Sequence, residues 1–385
     1  MDVAVVGAGP GGLAAAHGLL RAGHDVQVHE RAGSLRPGGS AVTLWPNGTA
    51  VLRSLGVPLD DLGARIDVLD GRDHRGRPLL QMRTAALVDR FGAPALSVRR
   101  RDLVERLAGA LPDRTLRFGS ACASVEADGG RLLLADGSTI RADVVVGADG
   151  RDSAVRGAVR PDARPRLTGW VTWQGLSRLA LDVTSSTRIV TMLGPGGFVG
   201  LQPAGDGLLQ WYVSVPPSPG GADATEDGTV VDLLRRRFGG WASPVPQVLE
   251  AIGEEPISPW PHASLQINGA WGAGRATLLG DAAHAMPPSL AQGVNQTLED
   301  VHALTASLSA VPPGADPSHA LRRYEAVRAR QVRRIAAMAA SEASTTYRRS
   351  TSLLMRAMPP RFATGTYNRL ISRSSSLLAH RSGAA

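Results

Sequence analysis

The stretch Val3-Ala4-Val5-Val6-Gly7-Ala8-Gly9-Pro10-Gly11-Gly12 decides how the rest of the chain is read. Its first four residues form a short, continuous apolar run, as expected of a strand buried on both faces. The glycines that follow are spaced Gly7-x-Gly9-x-x-Gly12, and an Ala/Leu-rich helix then runs to about Ala22. Gly7 permits a tight turn and Gly9 lets backbone approach a pyrophosphate. Gly12 lets the helix pack on the strand with its N-terminus aimed at the phosphates. A second strand is expected over residues 25–29, and Glu30 stands at its end, 18 positions past Gly12. A carboxylate there accepts hydrogen bonds from ribose hydroxyls and would repel a 2′-phosphate. The pattern marks a dinucleotide site and does not by itself separate NAD from FAD.

Two later stretches narrow the choice. Val144-Val145-Val146-Gly147-Ala148-Asp149-Gly150 is a buried strand ending in an acidic turn, with Ser153 and Arg156 just beyond. Leu278-Leu279-Gly280-Asp281-Ala282-Ala283-His284 is another, running into Met286-Pro287-Pro288 and then Gln292-Gly293-Val294-Asn295. A carboxylate at a strand end can hold a polyol such as a ribityl chain, and a Gly-led helix start offers N–H groups to a flavin carbonyl. Each aspartate could equally be a helix cap or turn former. It is the three motifs together, in this order, that are specific.

Composition removes several classes. The chain has 385 residues, room for about two to three domains, and is 43% hydrophobic and 20% charged, an ordinary soluble balance. No apolar run reaches the ~18 residues of a membrane span. No basic leader precedes the first strand, so no signal peptide is expected. All 42 basic residues are Arg, which excludes P-loop, Schiff-base and pyridoxal chemistry, each of which needs a lysine. The single cysteine, Cys122, cannot form an internal disulfide and suits a cytoplasmic setting; the sequon at Asn47 is then coincidental. No His/Cys/Asp cluster has metal-ligand spacing, so no metal is expected. The net charge of +8 is concentrated in residues 321–385, which hold 13 Arg and 2 Glu. Those arginines are interleaved with apolar residues, which favours a helical face and contacts within the protein over a nucleic-acid or membrane surface.

Along the chain, residues 41–56 start extended and end as a helix. Residues 67–98 look strand-like, with turns at Asp70-Gly71 and Gly76. Residues 100–111 read as a helix, and residues 115–147 as strands with hairpin turns at Asp128-Gly129-Gly130 and Asp136-Gly137. From about 165 to 270, five of the seven Trp fall among short β-type runs separated by Gly/Pro turns, which suggests an inserted antiparallel sheet. Helices are expected over residues 293–308 and 318–345, joined by a proline linker at 312–317. The last forty residues are Ser/Arg-rich with short apolar pieces.

On these motifs the chain resembles the single-component FAD-dependent monooxygenases with the para-hydroxybenzoate hydroxylase fold. The resemblance spans nearly the whole chain and takes in Glu299-Asp300 and Tyr324-Glu325 followed by Arg328. It implies an α/β fold: a Rossmann-like FAD-binding domain (residues 1–70, 98–164 and 272–311), an inserted, mainly antiparallel β-sheet substrate domain (71–97 and 165–271), and a C-terminal helical segment (318–385). By matched position, Gly7, Gly9, Pro10, Gly11, Gly12, Glu30 and Arg31 would bind the ADP half of FAD. Arg100 would reach its phosphates, and Cys122 would sit where strand backbone meets adenine. Asp149 would serve flavin and NAD(P)H binding, and Asp281 the ribityl-pyrophosphate region. The segment Ala291, Gln292, Gly293, Val294 and Asn295 would cradle the isoalloxazine; Ala291 replaces the usual Gly.

The resemblance also implies the chemistry. NADPH or NADH reduces the flavin, O2 adds to give a C4a-hydroperoxide, and an aromatic substrate is hydroxylated, as in secondary metabolism such as antibiotic biosynthesis. Thr43-Leu44-Trp45-Pro46-Asn47-Gly48 and Trp173-x-Gly175 are similar to the bacterial FAD-dependent urate hydroxylases and nearby small aromatic hydroxylases, with Thr43 at the cofactor. Those relatives carry an Arg near the position of Phe198, and many carry one in place of Gln174; the loss of both cations points to a larger, more neutral aromatic or polycyclic substrate. Candidate pocket residues are Trp45, Gln174, Phe198, Gln202, Tyr212, Met286 and Pro287. No catalytic base is identified, and His284 is expected to be structural. The alternative on the same scaffold is an FAD-containing non-redox cyclase or an epoxidase.

Overall fold

The apolar run at residues 3–6 becomes the strand Asp2–Val6, the centre of a five-stranded parallel sheet in the order Ala276–Leu278, Val144–Gly147, Asp2–Val6, Asp25–His29, Leu116–Arg117. Val3 to Val6 and Val144 to Val146 are all buried, which is why both stretches read as continuous hydrophobic runs. The structure is a computed structural model that describes residues 1–35, 40–217, 229–253, 257–267, 269–344 and 355–381. The helices Pro10–Arg21 and Gly293–Ser309 pack against each other beside this sheet. Two small antiparallel sheets flank it. One is the meander Cys122–Glu126, Arg131–Leu134, Thr139–Arg141, and the other joins Ala41–Leu44, Leu96–Arg99 and Ala64–Arg65.

A seven-stranded sheet forms the second layer, in the order Trp260–Ser264, Arg166–Arg178, Leu208–Val215, Gly197–Pro203, Arg188–Gly194, Val68–Asp73, Pro78–Arg83. Every pair is antiparallel except Arg188–Gly194 with Val68–Asp73. Because side chains alternate across a strand, the sheet has two characters. Val199, Leu201, Trp211 and Val213 face a core completed by the helices Val230–Phe238 and Val245–Ala251. The opposite face, with Thr172, Ser214 and Phe198 in register, lines a cavity shared with the parallel sheet.

Several expectations need correction. Asp70-Gly71 is not a turn: both residues lie inside the strand Val68–Asp73, where the backbone is paired on both sides. The chain reverses instead between Asp73 and Arg77, with Gly76 at φ 79°. A boundary after residue 70 therefore cuts a strand of the larger sheet. Residues 67–98 are not all extended, since Ala85–Phe91 is a helix that buries Leu87 and Phe91. The texture taken for strands around residues 230–251 is helical. There the Thr229–Asp232 capping box starts a helix whose Val231, Leu234 and Phe238 face the core at helical spacing.

The C-terminal segment is woven into the body. Helix Ser318–Ser344 packs on Gly293–Ser309, and helix Pro360–Arg373 packs on the strand Pro78–Arg83. Ile335, Ala339, Tyr367, Ile371 and Leu377 share a core with Trp45, Leu87 and Phe91. Arg322 pairs with Glu325, Arg328 with Asp300 and Arg356 with Asp73, so three of the tail arginines serve the protein's own carboxylates. Residues 345–354 and 382–385 of the expected helical segment lie outside the described residues, as do 218–228, 254–256 and 268 of the expected substrate domain. No helix among the described residues is long and apolar enough to cross a membrane.

Candidate active site

The two sheets enclose a cavity of about 1870 Å³. Its first half is built on the Gly-rich turn. Gly7 sits at φ 105°, and a side chain there would meet the Ala148 carbonyl at 2.6 Å. A side chain at Gly12 would meet the Gly7 carbonyl at 1.9 Å, whereas one at Gly9 would enter open space. Helix Pro10–Arg21 thus presents its N-terminus, which has no side-chain cap, to this cradle. Glu30 closes the far side, its carboxylate accepting from the N–H of Ala8 (2.8 Å) and Ala32 (2.9 Å). Arg31, Arg100 and Arg151 also line the cavity. A cradle of this shape and charge fits the pyrophosphate and ribose of a dinucleotide.

Asp149 lines the same half, but its carboxylate is engaged: Ser153 Oγ donates to it (2.5 Å), as do the N–H groups of Ala154 (2.7 Å) and Val155 (3.2 Å). Ser153 caps the helix Ala154–Val159 by accepting from the Arg156 N–H (2.9 Å), and Asp149 holds that cap and the first turn in place. Arg156 then ties that turn to the next motif through the carbonyls of Arg151 (2.6 Å) and Ala282 (3.1 Å). Asp281 opens the short helix after the strand Ala276–Leu278 and faces the cavity. Burial pushes its carboxyl above the usual range, against the pull of His284, Arg100, Arg151 and Arg156. Cys122 is a half-buried lining residue whose thiol is pushed up to about 12, by burial first and by the charge of Asp149 second, so it is an unreactive wall.

Beyond lies the Ala291–Val294 segment. Ala291, at φ 50°, takes the left-handed conformation that glycine adopts freely, and it turns the chain into helix Gly293–Ser309. Ala291, Gly293 and Val294 line the cavity. Gln292 and Asn295 face inward instead. Gln292 donates to the Tyr367 hydroxyl (3.2 Å). Asn295 accepts from the Trp45 N–H (2.8 Å) and donates to the carbonyls of Thr43 and Ala291 (both 2.9 Å).

The second half is faced by the larger sheet. Trp45, Gln174, Phe198, Gln202, Tyr212 and Met286 line it. Trp45 meets Tyr367 edge-on at 5.4 Å, and its indole N–H has no partner among the described residues. Thr43 Oγ1 donates to Gln202 (3.1 Å), which donates in turn to Ser97 (3.0 Å) and Gln210 (2.6 Å), so buried amides link the small Ala41–Leu44/Leu96–Arg99 sheet to the seven-stranded one. The Tyr212 phenol, beside Phe198, is pushed upward by burial and stays neutral.

The sequence matches the family described as FAD binding domain over residues 1–339. The chain belongs to that FAD-binding family. It is an FAD-dependent aromatic monooxygenase, and the site's residues fit the cofactor. It is 36% identical over 344 residues to a 3-amino-4-hydroxybenzoate 2-monooxygenase of Streptomyces platensis, covering 86% of this chain and 85% of the relative. It is 32% identical to an FAD-dependent urate hydroxylase of Klebsiella pneumoniae, covering 86% and 87%. The solved Klebsiella pneumoniae HpxO complexed with FAD and uric acid superposes with a TM-score of 0.88 at 28% identity, over 98% of each chain. A salicylate hydroxylase substrate complex shares the fold, with a TM-score of 0.78 at 22% identity.

In this flavoprotein Gly12, Gln292, Asn295 and Pro287 do not line the cavity; they set the backbone that does. His284 is fully buried away from it, with its Nε2 on Asp300 (2.5 Å). Sequence reasoning missed Arg151 and Tyr367. It also missed the chain His262 Nε2–Thr172 Oγ1 (2.7 Å)–Ser214 Oγ (2.5 Å), which register alone assembles. Burial lowers His262 to about 4 from the ordinary 6.5. The folded protein therefore binds fewer protons than the unfolded chain in between. The stability this neutral imidazole contributes is present above pH 6.5 and is lost as pH falls toward about 4. The flavoprotein is expected to lose about 2 kcal/mol more than His262→Gln between about pH 7.5 and pH 5 in urea unfolding. Equal losses would refute this.

Proposed function

We propose that the protein hydroxylates a bulky, uncharged aromatic compound with O2, drawing electrons from NADPH or NADH. The observation that carries this reading is the absence of any charged residue among those that line the cavity from the central strands Arg166–Arg178, Gly197–Pro203 and Leu208–Val215. Phe198 and Gln174 occupy the places where the family resemblance implies cations for small anionic substrates. Monooxygenation also sends one oxygen atom to water, which takes two electrons and two protons, and a reduced nicotinamide is a sufficient donor. Bound FAD supplies the redox chemistry. The chain's own part is to hold the cofactor at Gly9, Glu30 and Asp281, to orient the ring between Trp45 and Tyr212, and to keep water out. Relatives from Streptomyces named as aminohydroxybenzoate monooxygenases, and an aurachin C monooxygenase/isomerase from Stigmatella aurantiaca at 34% identity, support a place in secondary metabolism such as antibiotic biosynthesis. The lone, inert Cys122 suits a cytoplasmic setting.

The test is aerobic oxidation of NADPH and NADH by the FAD-loaded protein with a panel of phenols and polycyclic aromatics. Neutral polycyclic compounds are expected to speed oxidation and gain one oxygen atom, while small carboxylates do not. Stimulation by carboxylates alone would refute the substrate class. A compound transformed with neither nicotinamide consumption nor oxygen gain would favour a non-redox cyclase.

A further inference from the structure

The hydroxyl chain beside the substrate cavity has a direction. Thr172 and Ser214 face each other across paired strands, and both line the cavity. Thr172 Oγ1 lies 2.5 Å from Ser214 Oγ and 2.7 Å from His262 Nε2. Each hydroxyl carries one proton and two lone pairs, so what the pair offers the cavity depends on whether His262 Nε2 donates to Thr172 or accepts from it. In the first case His262 Nε2–H donates to Thr172, one hydroxyl proton joins Thr172 to Ser214, and the other, on Ser214 or Thr172, is left for the cavity. In the second, Thr172 donates to His262, Ser214 donates to Thr172, and the pair offers the cavity only lone pairs.

The other ring nitrogen decides between them. His262 is 2% exposed, Trp170 stacks on it at 6.3 Å, and its Nδ1 is buried with no partner among the described residues. The reversed arrangement would place a proton on Nδ1, orphaning a buried N–H, which folded proteins avoid more strictly than an unused acceptor. A protonated ring would also donate from Nε2, so it gives the first arrangement again.

We infer that the Thr172–Ser214 hydroxyl pair is a hydrogen-bond donor to the substrate, and that the substrate presents a neutral oxygen acceptor, a ring ketone or phenol oxygen, at the position of Ser214 and Phe198. His262 is a positioning residue that fixes the direction of that donation. The inference rests on the aromatic-substrate reading above and deepens it. It replaces recognition of an anion by arginine with recognition of an acceptor oxygen by a neutral hydroxyl.

The experiment is calorimetric titration of the FAD-loaded protein with three probes of one shape: 1-tetralone, tetralin and 1-aminotetralin. Tetralone should bind about five- to tenfold more tightly than tetralin, the worth of one neutral hydrogen bond. Thr172→Val combined with Ser214→Ala, which removes both hydroxyl protons, should abolish that preference while tetralin still binds. His262→Leu, which frees the chain to reverse, should reduce the preference, and His262→Gln, whose side-chain N–H can take the place of Nε2–H, should restore it. A purely structural role for His262 would instead shift all three probes alike. Binding of all three without a ketone preference, or a gain for the amine alone that the double variant removes, would overturn the donor assignment. Failure of every probe to bind would overturn the aromatic-substrate reading as well.

Discussion

Arg328→Leu is expected to cost about 3–5 kcal/mol of folding free energy and to leave the protein without retained FAD. Arg328 is fully buried, and its guanidinium is spoken for on every side. It donates to Asp300 (2.7 Å), to Gln331 (2.6 Å), to the Ser374 carbonyl (3.1 Å), and to the backbone carbonyl (3.1 Å) and side chain (2.9 Å) of Gln296. The other Asp300 oxygen accepts from the Gly280 N–H (2.9 Å) and from His284 (2.5 Å). Burial would raise the Asp300 carboxyl, but the charges of His284 and Arg328 and the bonds from His284 and Gly280 outweigh it and hold the group below its usual range. Leucine fills the volume and strands that carboxylate. The Gly280 turn that aims Asp281 at the cavity then loses its anchor. Because a depressed carboxyl stabilises the fold above its unfolded pKa, the variant's remaining stability should also be less sensitive to acid. Thermal and urea unfolding with bound-flavin absorbance read the effect. Arg328→Lys should rescue little of it, since an ammonium cannot span the same forked set. A Leu variant within about 1 kcal/mol of the parent would refute the account.

The second large effect separates folding from cofactor binding within one loop. At Gly12 a methyl group would sit 1.9 Å from the Gly7 carbonyl and 3.4 Å from the Ala148 side chain, so helix and turn must part. Gly12→Ala is expected to lose about 3 kcal/mol and nearly all FAD. Gly9 has an ordinary backbone (φ −76°) and open space where its side chain would be. Gly9→Ala should melt with the parent yet hold FAD at least about tenfold more weakly, because the methyl would occupy the cradle itself. If both variants melt like the parent, the packing role of Gly12 is wrong. If Gly9→Ala keeps its flavin, the cradle lies elsewhere.

The parallel sheet and its glycine turn were legible in the sequence because their signals are local: an apolar run, a spaced turn, a helix. Glu30, Asp281, Ala291, Gly293 and Val294 sit on equally local motifs, and all five line the cavity, whereas Gln292 does not. Asp70-Gly71 misled because a turn-prone pair is overridden once backbone partners exist on both sides. Helix Val230–Phe238 was hidden by β-branched residues at its start, where propensity is weak beside the capping box and the buried face. Tyr367 and the His262–Thr172–Ser214 chain had no local signature. Their neighbours are set by strand register and by the docking of a distant helix.

The anchoring of the tail has a practical consequence for making chimeras. Glu299 accepts from Ser376 N–H (2.8 Å), Ser376 Oγ (2.7 Å) and Leu377 N–H (3.2 Å), and Arg328 reaches the Ser374 carbonyl from the neighbouring helix. A crossover at the proline-rich 312–317 linker looks convenient, but it would split this set of buried partners between two parents. Grafts that carry residues 296–300 together with everything beyond 318 keep donors and acceptors matched. Grafts that exchange only the terminal helices leave Glu299 facing a foreign chain.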